Sequence, residues 1–320
     1  MEGQTDQLPE IEEGTSSFWM RKGELRFGWK LAVFAVVYIM VTLVAGLVIF
    51  LLPLGVDIMT ASGAVSLLAA LVATAFCVMG IDGKEFATVG LRIHGRAARD
   101  LGLGILIASG MIALVALILY LLGMLEITAA VSDFGRGAEI LGSGILLYVL
   151  VGASEEILLR GYPLQTLIRR FNVAAAIGVT SVAFGMLHIW NPSFGWLPLA
   201  NITVAGIWLG AAYVVTRSLW LPIGLHIGWN FTMGSVLGFP VSGMVHGSVF
   251  VSVEHGSDLI TGGTFGPEGG IMVTIVLLAG TALLWFPPVR AFLSGNRTPL
   301  KPVHSSEAIT EKNDNETTRI

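Results

Sequence analysis

Charge is what this chain has least of. Only 12% of its 320 residues are Asp, Glu, Lys or Arg, against roughly 25% in a soluble domain. The net charge of -4 leaves no basic surplus with which to grip nucleic acid. Cysteine is nearly absent. Cys77 stands alone, so no internal disulfide can form, and it has no polar neighbours in its segment to make it a nucleophile. Familiar catalytic strings are missing too. There is no Gly-x-Ser-Gly to supply an intramembrane serine, no Gly-x-Gly-Asp for an aspartyl dyad, and no His-Glu-x-x-His.

In place of charge there is apolar surface, at 54% of residues. It is gathered into long runs, which we read as spans at Trp29–Leu52, Ala61–Ile81, Leu101–Leu122, Leu141–Arg160, Val173–Ile189, Leu197–Thr216, Leu219–Gly238 and Ile271–Phe286. The expected fold is all-α, a polytopic membrane helical bundle of about eight transmembrane helices. A β-barrel is excluded, since it would show period-2 segments of about ten residues. The first run is about 24 residues, longer than the roughly 7–15 of a signal-peptide core, so it is read as a retained span. The second and fifth runs are diluted by Gly, Ala, Ser and Thr, which suits interior helices in close contact.

The cations are distributed unevenly. Arg21, Lys22, Arg26 and Lys30 precede the first run, and Lys84, Arg92, Arg96 and Arg99 separate the second from the third. Arg169, Arg170, Arg217 and Arg290 follow the fourth, sixth and eighth runs, while the alternate loops hold only Arg136. Cations stay on the cytoplasmic side, so both termini are expected there, in a multi-pass integral cell-membrane protein. Residues 1–25 and 291–320 read as disordered cytoplasmic tails, flanking a transmembrane domain at 26–290 with a motif-bearing core at 141–238.

Inside this greasy chain, a few polar side chains stand out. Glu155 and Glu156 are adjacent carboxylates between apolar stretches, with Arg160 four residues beyond Glu156. His188 closes the segment that contains Phe184, and His226 is followed one turn later by Asn230. Ionisable groups at membrane depth cost at least a few kcal/mol each, so they mark function more often than not. Residues four apart share a helix face, so Glu156 can pair with Arg160, while Glu155 points about 100° away. Taken singly, each group has a plain structural reading. Glu156 and Arg160 could be a buried pair that fixes helix register, His188 an interfacial histidine, and His226 with Asn230 a polar contact between helices.

Together they form a sharper pattern. The fourth and fifth runs turn back near Phe171 and Asn172, with Glu155 and His188 each 16 residues from the turn. If both arms are helical, the two side chains come level about 24 Å from that turn. His226 is level with them only if this hairpin protrudes about 12 Å into the cytoplasm. The four groups are expected to meet in one cavity, reached from the cytoplasmic side.

Glu155-Glu156-x-x-x-Arg160, Phe184-x-x-x-His188 and His226-x-x-x-Asn230, in this order, resemble the three motifs of the CAAX-processing and bacteriocin-processing membrane proteases. This is the type II CAAX prenyl endopeptidase, or Abi, superfamily. The resemblance spans about Leu141 to Gly238 and implies an intramembrane endopeptidase acting on membrane-anchored proteins or peptides. It implies that Glu155 activates water with the help of His188, and that His226 and Asn230 stabilise the oxyanion. Glu156, Arg160 and Phe184 then hold these groups in place. A divalent metal such as zinc could be held by Glu155, His188 and His226, though nothing in the sequence requires one. Two other classes carry the same residues. One is a non-enzymatic bacteriocin self-immunity or scaffold protein on this fold, and the other a proton-coupled transporter. The transporter reading lacks the paired broken helices and repeat symmetry that transport favours.

Overall fold

A computed structural model describes residues 18–21, 24–52 and 55–295. The outer parts of both expected tails, residues 1–17 and 296–320, lie outside the described residues. A small hairpin of β1 (Met20–Arg21) and β2 (Glu24–Leu25) leads into α1 (Phe27–Leu51). Then come α2 (Ile58–Ala75), which runs on through a π-helical turn at Phe76–Ile81, and α3 (Ala97–Leu121). A strand, β3 (Leu125–Ala129), precedes α4 (Phe134–Glu156). After a π turn at Ile157–Gly161, the same rod continues as α5 (Tyr162–Arg170). There follow α6 (Val173–Met186), α7 (Trp196–Thr216), and α8 (Trp220–Phe231) with its own π turn at Thr232–Val236. Strand β4 (Phe250–Glu254), the one-turn α9 (Asp258–Thr261), α10 (Ile271–Trp285) and α11 (Pro287–Ser294) complete the chain.

All eight apolar runs are helical at or near the expected positions. Five helices are long and apolar enough to cross a membrane: Phe27–Leu51, Ile58–Ile81, Ala97–Leu121, Phe134–Arg170 and Trp196–Thr216. A sixth is gained if α10 and α11, bent by 72°, count as one span. The fifth and seventh runs fall short of that standard. With 14 residues, α6 is about 21 Å long, against a hydrocarbon core of about 30 Å. Conversely, the rod from Phe134 to Arg170 has 37 residues and is about 55 Å long. It is longer than a hydrocarbon core of about 30 Å. The chain reverses at Phe171 and Asn172, where the Asn172 side chain accepts the Ala175 amide and starts α6.

Outward faces are apolar. On α1, Val36, Ile39, Met40, Leu43, Val44 and Leu47 are all exposed. In water this would be an aggregation hazard, but in lipid it is the expected face. The centre is α8, where every residue from Leu221 to Asn230 is buried. It packs on α3, α4 and α7. The α3 contact is backbone-close: a Cβ on Gly224 would strike the Leu101 carbonyl, and one on Gly228 the Ile105 carbonyl. Small residues let two helices approach this closely, and the contact fixes α8 against rotation. The stretch after α8 is long and Gly-rich. In the structure β4 pairs antiparallel with β3, from Leu125 opposite Glu254 to Ala129 opposite Phe250.

Candidate active site

Glu155 and Glu156 sit at the last turn of α4, where the π turn begins. Such turns add a residue to the helical ring and recur at functional sites. Glu156 is fully buried, and its Oε1 accepts from Arg160 Nη1 at 2.8 Å. Arg160 is equally buried, donates to the Gly206 carbonyl at 3.1 Å, and lies 4.6 Å from the centre of the Phe184 ring. The same Glu156 oxygen is 3.0 Å from His226 Nδ1. A carboxylate accepts, so His226 donates from Nδ1 and turns Nε2 the other way. Nε2 lies 3.7 Å from Glu155 Oε2, an oxygen with no protein hydrogen bond.

Glu155 thus faces away from the Glu156–Arg160 pair. Its side chain keeps 23% of its surface exposed, whereas Glu156 keeps none. Two neighbouring carboxylates therefore stand in different surroundings. One is locked into a buried network, while the other looks into open space.

His188 lies just past the end of α6, in a tight turn. Its Nδ1 donates to the Phe184 carbonyl at 2.8 Å, which leaves Nε2 free. The Phe184 ring contacts both imidazoles, with centroids 5.1 Å from His188 and 5.9 Å from His226. This phenyl wall, backed by Arg160, sets the spacing of the two histidines. Asn230, one turn beyond His226, is buried on the same face of α8.

Glu155, Phe184, His188, His226 and Asn230 all line one cavity of about 510 Å³. Glu156 and Arg160 stand behind it. His246 and Glu268, also on its wall, come from the loop after α8 and were missed in the sequence. His246 Nε2 is buried without a hydrogen-bond partner. Glu268 accepts from Trp229 Nε1 at 3.0 Å and from the Ser242 amide and hydroxyl at 2.8 and 2.7 Å. It ties the loop to the residue next to Asn230. No periodic pattern marks either residue; an acidic side chain in a Gly-rich stretch is the only signal.

The cavity lies toward the end of the bundle at which α2 begins and α6 and α8 finish. Its outer wall is built from Ile58 and Met59 at the start of α2, Leu187 and Asn191 after α6, and Val241 to His246. These lie opposite the end that carries Lys84, Arg92, Arg169, Arg170 and Arg217. Helix-hairpin arithmetic fixes the level of a side chain but does not say toward which end a cavity opens.

The three-ligand metal set does not assemble. Among the described residues no group of three His, Cys, Asp or Glu is placed to hold a metal ion. Glu155 and His226 face each other, but His188 is held on the far part of the phenyl wall by its bond to the Phe184 carbonyl. The metalloprotease description drawn from the resemblance is therefore not supported by the arrangement of these side chains.

Comparison with curated proteins returns no match. Residues 137–232 match a protein-family model described as type II CAAX prenyl endopeptidase Rce1-like. That stretch runs from the start of α4 to the end of α8 and includes all seven motif residues, from Glu155 to Asn230. This segment, with its apolar helices, is similar to the CAAX-processing family of membrane proteases.

Proposed function

We propose that this protein is an intramembrane endopeptidase in which Glu155 is the general base, His188 assists it, and His226 with Asn230 stabilise the oxyanion. The observation that carries the reading is the opposition of Glu155 Oε2 and His226 Nε2 across 3.7 Å at the cavity floor. Glu155 takes a proton from water as the water oxygen bonds to the scissile carbonyl carbon. The carbonyl oxygen becomes the oxyanion, placed toward Asn230 and His226. For His226 to donate from Nε2 while Nδ1 donates to Glu156, the ring carries both protons, and Glu156 balances that charge. Collapse of the intermediate breaks the C–N bond, and the proton held by Glu155 passes to the leaving nitrogen.

Glu156, Arg160 and Phe184 orient these groups, as a supporting shell must do for a site to work. The substrate is a membrane-anchored protein or peptide, and the catalytic domain is 26–290. Both termini lie on the cytoplasmic side, because the described cations gather at that end and Arg136 is alone at the other. The test is cleavage of a mixture of synthetic single-span peptides by purified protein in heavy-oxygen water. Internal cuts that place one solvent oxygen in each new carboxylate support the reading. Intact peptides, or trimming only from the ends, contradict it.

A further inference from the structure

The end of the bundle at which the cavity opens constrains the substrate. The residues that line the cavity and are themselves well exposed are Ile58, Ser62, Leu187, Met244 and Val245. All but Ser62 are apolar, and all belong to the end where α2 begins and α6 and α8 finish. The opposite route is filled. Ile157, Tyr162, Leu164, Leu167, Leu219 and Ile223 pack there into a buried cluster between the cavity and the cationic loops. At the side, the Tyr38 and Ser66 hydroxyls bond at 2.9 Å and hold α1 to α2.

Charge separates the two ends just as clearly. Lys30, Lys84, Arg92, Arg96, Arg99, Arg169, Arg170, Arg217 and Arg290 lie at the sealed end. At the open end the described residues hold one Arg, Arg136, and it is paired with Glu139 at 2.7 Å. Cations of this density stay in the cytoplasm during insertion. No Lys or Arg lines the cavity, which carries the carboxylates Glu155 and Glu268 beside the His226 imidazolium.

We infer that this enzyme cuts polypeptides presented from the extracytoplasmic side of the membrane, in an apolar segment at the outer boundary of a membrane anchor. Cytoplasmic C-termini, prenylated ones included, are not its substrates. The inference rests on the proposed protease reading but adds a side and a chemistry to it. The apolar rim receives greasy side chains at the level of the outer headgroups. With no Lys or Arg on the lining and two carboxylates there, a free C-terminal carboxylate has no cationic partner apart from the oxyanion group His226, so an internal bond fits better than a chain end.

Two measurements test it. In full-length protein with Cys77→Ala, Val245→Cys marks the rim and Ile93→Cys the cationic end; both native side chains are exposed. A membrane-impermeant maleimide added to intact cells is expected to label Val245→Cys and not Ile93→Cys, with the reverse in inverted vesicles. The second compares new protein termini in cells expressing wild type or Glu155→Gln. Glu155-dependent termini are expected on extracytoplasmic segments beside membrane anchors. Reversed labelling overturns the inference. Glu155-dependent termini confined to cytoplasmic segments also overturn it, and leave the protease reading intact. If no terminus depends on Glu155, the protease reading fails and the inference falls with it, whatever the labelling shows.

Discussion

Glu156 Oε1 lies 3.0 Å from His226 Nδ1 and 2.8 Å from Arg160 Nη1, so one buried carboxylate oxygen joins two of the three motifs. The Arg160 guanidinium reaches the third by stacking on Phe184. Residues that look like separate features in the chain form one continuous network, with Glu155 outside it and facing the cavity.

Arg160→Ala removes the guanidinium partner of a fully buried carboxylate and takes a side-chain donor from the Gly206 carbonyl. Breaking a buried pair in this way costs about 3–5 kcal/mol. Thermal unfolding in detergent should show that loss. Arg160→Lys recovers only part of it, because one ammonium cannot bond Glu156 and Gly206 and also stack on the phenyl ring. A melting curve like wild type for Arg160→Ala would move Arg160 from scaffold to chemistry.

Asn230→Ala should lower kcat by about 10²–10³ with KM little changed, the signature of a lost oxyanion donor. Steady-state kinetics on any peptide found to be cleaved gives the answer. A rise in KM at constant kcat would instead make Asn230 a substrate-binding residue.

Glu268 is the clasp of the loop after α8. Glu268→Ala strands the Trp229 indole N–H and the Ser242 amide, and each buried donor left unpaired costs about 1–3 kcal/mol. Hydrogen exchange across 241–246 should rise, and KM with it, because this loop forms part of the cavity wall. Unchanged exchange would show that the loop is held elsewhere.

Glu254, on β4 outside the membrane-spanning segments, has its carboxyl pushed above its ordinary value of 4.5. Burial is the main cause, opposed by bonds from Thr261 and the Gly263 amide, with Asp258 adding to the rise. A raised carboxyl favours the protonated fold. Its contribution is full below the ordinary value and is lost as pH climbs through the raised one. Exchange of the paired β3 and β4 amides, corrected for intrinsic pH dependence, should therefore quicken as pH rises through this range. Glu254→Gln should flatten the response. Slower exchange at higher pH would reverse the assignment.

How much of this the sequence disclosed depends on the kind of signal. Apolar runs are long and repetitive, so the helices and the reversal at Phe171 and Asn172 were legible. So were the Glu156–Arg160 and His226–Asn230 faces, since spacing by four fixes them. The bond from His226 to Glu156 was not. It joins residues 70 apart, and the backbone approach at Gly224 and Gly228 that seats α8 involves partners in α3. His246 and Glu268 were hidden because a Gly-rich loop has no period to read. The short strands β3 and β4 were hidden because each is only five residues long. The length of α6 fell short of its apolar run because the chain turns at His188, where the histidine bonds back to Phe184.

The central claim is that Glu155, and not its buried neighbour, takes the proton from water. Single-turnover cleavage by wild type and Glu155→Gln, reconstituted in liposomes and matched for folding by thermal melts, tests it most directly. Gln keeps the shape and loses the base, so the account expects the chemical step to vanish while peptide binding and melting temperature stay as in wild type. Cleavage by Glu155→Gln at near the wild-type rate would contradict it.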